Sequence, residues 1–392
     1  MRIVLFSYIP DSRSGGMGNW THQIADAVRA RGHEVATWFA DRIVALGHGR
    51  PAVLLHPVVF AWLAVRARSR VDAFIVHEPS GVWYGLLRRA WSALPPMIAM
   101  CHNVESNHVR AMDRAAANGL AGRRGPWRRL VNALARGWQS DATIRLADHV
   151  IVLSSIDREY VLRTLGRRAE DVTLLLNGVT PVQRGGDAPA AHSVLVVGGW
   201  LDVKGRRALP RLWRAVRTSH PSARLTIVGA GAASAAVLQA FDARDRESIH
   251  VVPRVEGASA MRRFYAEHEI FLLPSVSEGG PLALLEAMSA GCAIVASRAG
   301  GVSDLAVHDE SAVLYEPLDP EAGGAAVVSL LDDRARRDRL GEGARNRAAM
   351  LTWDDAAATL LAAVARSLGT TTGPRPTEAR ATIDQPSREL VP

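Results

Sequence analysis

"PSVSEGGPLALLEAMSAGCAIVAS", Pro274 to Ser297, holds a whole structural unit in one stretch. EIFLLP (Glu269–Pro274), which runs into it, has the length and apolar content of a strand buried on both faces, and CAIVAS (Cys292–Ser297) is another. Between them a loop carries Glu278-Gly279-Gly280, Pro281 suits the first turn of a helix, and Gly291 closes it. A glycine loop entering a helix N-terminus offers backbone N–H groups and the positive dipole end, which favour a phosphate or another anion. Glu278 in the loop and Glu286 in the helix stand on either side of that place. Glu286 lies between Leu285, Ala287 and Met288, where an unpaired charge is expensive, so it should have a partner.

Working outward, the same unit recurs along the chain. RIVLFSY (Arg2–Tyr8), EVATWFA (Glu34–Ala40), DAFIVH (Asp72–His77), MIAMCHN (Met97–Asn103) and HVIVLS (His149–Ser154) read as buried parallel strands, with helical periodicity between most of them, as at Met17–Arg31 before Gly32. A Pro/Gly/Ala-rich stretch follows Asn177-Gly178, and the pattern restarts at SVLVVGG (Ser193–Gly199), RLTIVGAG (Arg224–Gly231) and IHVVP (Ile249–Pro253). The expected fold class is α/β, with two doubly wound Rossmann-like domains in tandem. The expected boundaries are an N-terminal domain at 1–178, a linker at 179–192 and a C-terminal domain at 193–352. A last helix at 353–368 is expected to pack back toward the N-terminal domain, and 369–392 to form a disordered tail. Ligands of such sheets bind at the carboxyl ends of the strands, so chemistry is expected in a cleft across which the two domains face.

Composition narrows the class further. The chain has 392 residues, 48% of them apolar, and only two cysteines, Cys101 and Cys292, each in or beside an apolar run. That usage reads as small core residues in a reducing, cytoplasmic compartment. The opening apolar run stops at Ser7 and Pro10, too soon for a signal peptide, and Ala52–Val65 is shorter than the roughly 18 residues a spanning helix needs. A net charge of +8 attracts polyanions, but the arginines are spread along the chain without a clustered aromatic-basic motif, so nucleic acid is not expected as a partner.

Of 47 basic residues only Lys204 is lysine, and it stands after a strand and before a helix in VVGGWLDVKGRR (Val196–Arg207). An ammonium is a compact charge that suits a crowded phosphate pocket. Gly15-Gly16-Met17-Gly18, between a strand and a helix, lets backbone approach a phosphate or a sugar. His102 and His77 each follow a strand. The sequence has no HExxH, CxxC or DxD element, so no metal and no cofactor are expected.

SEGGPLALLEAMSAG with its two spaced glutamates, VKG before a helix, and SGGMGNWTHQIADAVRARGHEV at the start together resemble the family-four retaining glycosyltransferases of the GT-B fold, over roughly residues 1 to 368. The resemblance implies a nucleotide-sugar donor whose ribose hydroxyls meet Glu286. It implies that Glu278, with the Gly279 and Gly280 amides and Pro281, holds the donor sugar and diphosphate. Lys204 would neutralise that diphosphate, Gly15 and Gly16 would approach the donor, and His102 would be the active-site histidine. The implied catalytic residues are thus His102, Lys204 and Glu278. The family's usual arginine five or six positions before the lysine is replaced here by Gly198 and Gly199; Arg206, Arg207 and Arg13 are the candidates to supply that charge.

Transfer with retention, independent of metal, to a sugar, lipid-linked or small-molecule acceptor in cell-envelope polysaccharide or glycolipid synthesis is the expected activity. The alternatives are a nucleotide-sugar epimerase of the same fold and a catalytically silent nucleotide-sugar-binding subunit. HPVVFAWLAVRARSR (His56–Arg70) and GRRGPWRRLVNALARGW (Gly122–Trp138) mix arginines with apolar residues at helical spacing. An anionic membrane surface is therefore a further expected partner, with Arg123, Arg124, Arg128 and Arg129 as the contacts, unless the apolar residues are core and the arginines a solvated rim.

Overall fold

The structure is a computed structural model that describes residues 1–13, 15–43, 50–123, 125, 127, 136–182, 189–255 and 257–369, with backbone alone at 42–43, 50–54 and 258. Arg124, Arg128 and Arg129, linker positions 183–188 and the tail from 370 lie outside the described residues.

The chain divides into two compact units: 1–107, 124–175 and 353–392 form the first, 108–123 and 176–352 the second. In the first, strands β1 (Arg2–Ser7), β2 (Glu34–Phe39), β3 (Ala73–His77), β4 (Met97–Cys101), β5 (His149–Val152) and β6 (Val172–Leu174) form one sheet in the order β2-β1-β3-β4-β5-β6. Every pairing is parallel, with Ile3 opposite both Val35 and Ala73. All five residues of β3 and of β4 are buried, which explains why these strands are unbroken apolar runs rather than alternating ones.

Helices α1 (Gly16–Ala30), α2 (Arg50–Ala67) and α3 (Val82–Ala90) follow β1, β2 and β3, α4 (Glu105–Ala117) and α5 (Trp138–Leu146) both lie between β4 and β5, and α6 (Ser155–Arg163) follows β5. Phe60 of α2 and Tyr84 of α3 meet Phe74 of β3 edge-on, at 5.8 and 5.2 Å between ring centroids, and anchor the core beneath those helices.

In the second unit β7 (Ala190–Val197), β8 (Arg224–Val228), β9 (Ile249–Val252), β10 (His268–Leu273), β11 (Ala293–Ser297) and β12 (Val313–Tyr315) run in the order β12-β11-β10-β7-β8-β9, again all parallel. Helices α7 (Leu209–Ser219), α8 (Ala258–Glu267), α9 (Leu282–Ala290), α10 (Pro320–Asp332) and α11 (Arg334–Ala349) complete it. The last helix, α12 (Trp353–Ser367), belongs to the first unit, where Asp354 takes both guanidinium arms of Arg31, just past α1, at 2.7 Å.

Two boundaries differ from the expected ones. Residues 108–123 join the second unit because Met112, Ala115, Ala116 and Leu120 bury their apolar side chains in a cluster with Ala208 and Val276. β7 begins at Ala190, inside the expected linker, and Val179 and Val182 are packed into the second core.

Candidate active site

In the second unit, β10 and α9 are joined by the loop quoted at the outset. Pro281 caps α9 rather than entering it, and Gly291 ends the helix at φ +74°. Glu278 is buried in that loop, and its backbone is pinned from below. Gly300 has φ +55°, and a methyl group on it would overlap the Glu278 carbonyl oxygen, so only glycine lets the two segments close.

Lys204 ends a short 3-10 turn, Asp202–Lys204, which Gly205 stops in the left-handed region at φ +79°. A side chain on Gly205 would overlap the Pro274 carbonyl, and the Val276 amide donates to the Val203 carbonyl at 2.8 Å. These contacts press the lysine turn against the glutamate loop. The Lys204 ammonium consequently donates to both carboxylate oxygens of Glu278, at 2.7 and 2.9 Å, while the Ser275 hydroxyl donates to Oε1 at 2.6 Å.

The partner required for Glu286 is Tyr265 of α8, whose phenol donates to Oε2 at 2.7 Å. Burial raises the Glu286 carboxyl above its ordinary range, against the pull of the Tyr265 hydrogen bond and the Arg262 charge. Gly280 carries its carbonyl to the Asn177 side-chain amide at 2.8 Å.

Gly198 and Gly199 line an opening together with Trp200, Lys204, Pro274 and Ser275. Arg206 and Arg207 both donate to Asp202, at 2.5 and 3.2 Å, and Arg13 pairs with Asp26 at 3.4 Å. All three candidate cations are therefore ion-paired, Arg206 and Arg207 to the same carboxylate.

In the first unit, His102 follows β4 and His77 ends β3, and their Nε2 atoms lie 3.3 Å apart. The edge of Trp20, on α1, meets the His102 ring at 4.7 Å. Burial pushes the His102 imidazole down to about 3, and burial followed by the His102 charge holds His77 well below its ordinary value. Two neutral rings at this distance share a single hydrogen bond.

Glu78, next to His77, accepts from Ser140 at 2.6 Å and from the Glu105 amide at 3.2 Å. Burial, opposed by the Ser140 hydrogen bond and reinforced by Glu105 and Asp157, pushes its carboxyl up to about 8. Gly15 caps α1 in extended conformation; it and Gly16 face open space, whereas a side chain at Gly18 would overlap the Ser12 carbonyl.

Sequence reasoning named Lys204, Glu278 and Glu286 but missed Tyr265 and Ser275. Tyr265 sits in the arginine-flanked segment RRFYAE, which reads as an ordinary helix surface. Among the described residues no three His, Cys, Asp or Glu side chains gather as a metal site, and no single helix is long and apolar enough to cross a membrane.

Two six-stranded parallel sheets flanked by helices, the second carrying a strand–glycine loop–helix element beside a lysine, are the architecture of the GT-B fold. The sequence model of Glycosyltransferase Family 4 matches residues 14–183, and that of Glycosyl transferases group 1 matches 191–333. The chain belongs to the family-four, group 1 glycosyltransferases. It is 25% identical to the glycogen synthase of Mycobacterium tuberculosis over 385 residues, covering 88% of this chain and 90% of that one. Among solved structures, sucrose-phosphate synthase from Thermosynechococcus elongatus superposes with a TM-score of 0.71 at 19% identity, covering 94% of this chain and 99% of that one. HepE of Anabaena, in complex with UDP, does so with a TM-score of 0.65 at 16% identity, covering 93% and 100%.

Proposed function

We propose that this glycosyltransferase moves a sugar from a nucleoside-diphosphate sugar to an acceptor hydroxyl, with retention at the anomeric carbon and with neither metal nor cofactor. The observation that carries the reading is the buried Glu278 holding the chain's single lysine at the glycine loop, with Glu286 on its tyrosine partner in the helix that the loop enters. As the anomeric C–O bond breaks, its electron pair passes to the diphosphate. Lys204 and the Gly279 and Gly280 amides meet the charge that develops there, which is the role a metal would otherwise fill. Glu286 accepts from the ribose hydroxyls, and Pro281 fixes the turn between the two glutamates.

Retention through a covalent intermediate would need a carboxylate nucleophile, and neither glutamate is free for that role. The family resemblance implies instead that the acceptor oxygen attacks the face the diphosphate leaves, and that its proton passes to the departing phosphate oxygen. His102, neutral across the working pH range, contacts the transferred sugar, and Gly15 and Gly16 admit the donor closely. The acceptor we assign is a cell-envelope saccharide or lipid-linked sugar, met by the enzyme as a peripheral protein at the cytoplasmic face of a membrane. UDP bound to HepE supports a nucleoside diphosphate as the common donor element.

A donor panel tests the reading. Purified protein is given UDP-, GDP-, ADP- and TDP-sugars in EDTA, and release of nucleoside diphosphate and the anomeric configuration of the product are measured. Release with retained configuration is expected. Epimerised donor without release makes the protein an epimerase, and binding without either makes it a silent subunit.

A further inference from the structure

The helices α2 and α3 each bury one face in the first unit and leave the other apolar. Val58 and Trp62 of α2 are exposed, as are Trp83 and Leu87 of α3 and Trp91 just beyond it. Trp83 extends this surface to α5, where its ring meets Trp138 at 6.5 Å. Soluble surfaces seldom gather so many large apolar side chains without a use for them.

The charged residues carried by α2 and α3 themselves are of one sign. Arg66 lies over the Trp62 ring at 4.2 Å and Arg68 over Trp91 at 5.2 Å. Neither they nor Arg89 pair with a carboxylate among the described residues, whereas Arg88 meets Asp148 at 3.3 Å. From 50 to 71 and from 79 to 97 the sequence has no Asp or Glu at all.

We infer that this tryptophan face of α2, α3 and α5 is the surface by which the protein sits on an anionic lipid bilayer. Tryptophan, with an apolar body and one N–H at its edge, is at home at the headgroup level, and arginines beside it reach lipid phosphates. A second copy of the chain fits less well. A two-fold pairing sets the same patch against itself, so the arginines of one copy would meet those of the other with no carboxylate between them. The inference rests on the membrane location proposed above and supplies its contact surface. That surface takes in part of the His56–Arg70 stretch and Trp138 from the second stretch read from sequence; of the four arginines expected as contacts, Arg124, Arg128 and Arg129 lie outside the described residues and Arg123 belongs to the second unit.

The test is cosedimentation with vesicles of phosphatidylglycerol and phosphatidylethanolamine, against vesicles of phosphatidylcholine, at low and high salt. Wild type is compared with Trp62→Ser/Trp83→Ser/Trp91→Ser and with Arg66→Gln/Arg68→Gln/Arg89→Gln, with unchanged thermal midpoints as the check on folding. Wild type should bind the anionic vesicles, the tryptophan variant should lose tenfold or more at either salt, and the arginine variant should lose its preference for anionic lipid and its salt dependence. Wild-type binding by the tryptophan variant overturns the surface and spares the membrane location. Failure of wild type to bind overturns both. If wild type is a dimer by light scattering and the tryptophan variant a monomer, neither binding vesicles, the face is a self-interface instead.

Discussion

Replacing Glu78 by glutamine should remove a pH dependence of stability whose size and sign follow from its surroundings. The carboxyl is buried, and burial above all raises it from 4.5 in the unfolded chain to about 8 in the folded one. Between those values the folded protein holds a proton that the unfolded chain has lost, so stability falls as pH rises through the interval and levels off above about 8. At 1.36 kcal/mol per pH unit the full interval amounts to about 5 kcal/mol, an upper bound, of which about 3 kcal/mol falls between pH 5.5 and 8.5. Glutamine has no proton to lose. Urea unfolding of wild type and Glu78→Gln at pH 5.5 and 8.5 measures the difference: the variant should gain on wild type by roughly 3 kcal/mol at the higher pH. Parallel pH dependences would show that Glu78 is ionised in the folded protein, and the account of burial beside His77 would then be wrong.

Lys204→Arg, conservative in charge, should lower turnover about tenfold or more, because a longer, planar guanidinium can still bind Glu278 with both arms but sets its charge away from where the compact ammonium lies; nucleoside diphosphate release at wild-type rate would refute this. Tyr265→Phe removes the hydrogen bond that favours ionised Glu286, a contact of about 1.5–3 kcal/mol. The Glu286 carboxyl should then rise further, so donor affinity measured by calorimetry should fall at neutral pH and recover in part at higher pH; unchanged affinity would separate Glu286 from the donor. Gly300→Ala should lower the melting temperature by several degrees through the overlap with the Glu278 carbonyl, whereas Gly15→Ala, in open space and at an ordinary φ of −115°, should leave it unchanged.

Which parts of this were legible in the sequence depended on burial. Strands such as MIAMC and AIVAS announce themselves because both faces are covered and every residue must be apolar. The edge strands β6 and β12, three residues each, leave no such run and went unread. At the site, Lys204 and the two glutamates stood out through composition and spacing. Their partners did not: Ser275 and Tyr265 are unremarkable residue types whose roles exist only once the loop after β10 and helix α8 have closed on them. The same holds for His77, Nε2 to Nε2 with His102, since strand neighbours β3 and β4 are separated by a whole crossover in the chain. The apolar outer face of α3 was missed because VWYGLLRRAW alternates buried and exposed large residues, and a periodicity reading cannot say which side of such a helix meets the sheet.

That the sequence's single lysine is also the ion-pair partner of the buried Glu278 makes the site chemically addressable. The Lys204 side chain is the only lysine amine in the sequence. There an amine-directed reagent meets an ammonium held by both oxygens of Glu278, with its side chain 35% exposed. Intact mass after brief acylation would report the state of Lys204 directly, without a labelled substrate or an engineered probe. Its reactivity at graded donor concentrations would give a binding curve from the one atom on which the leaving group is expected to rest.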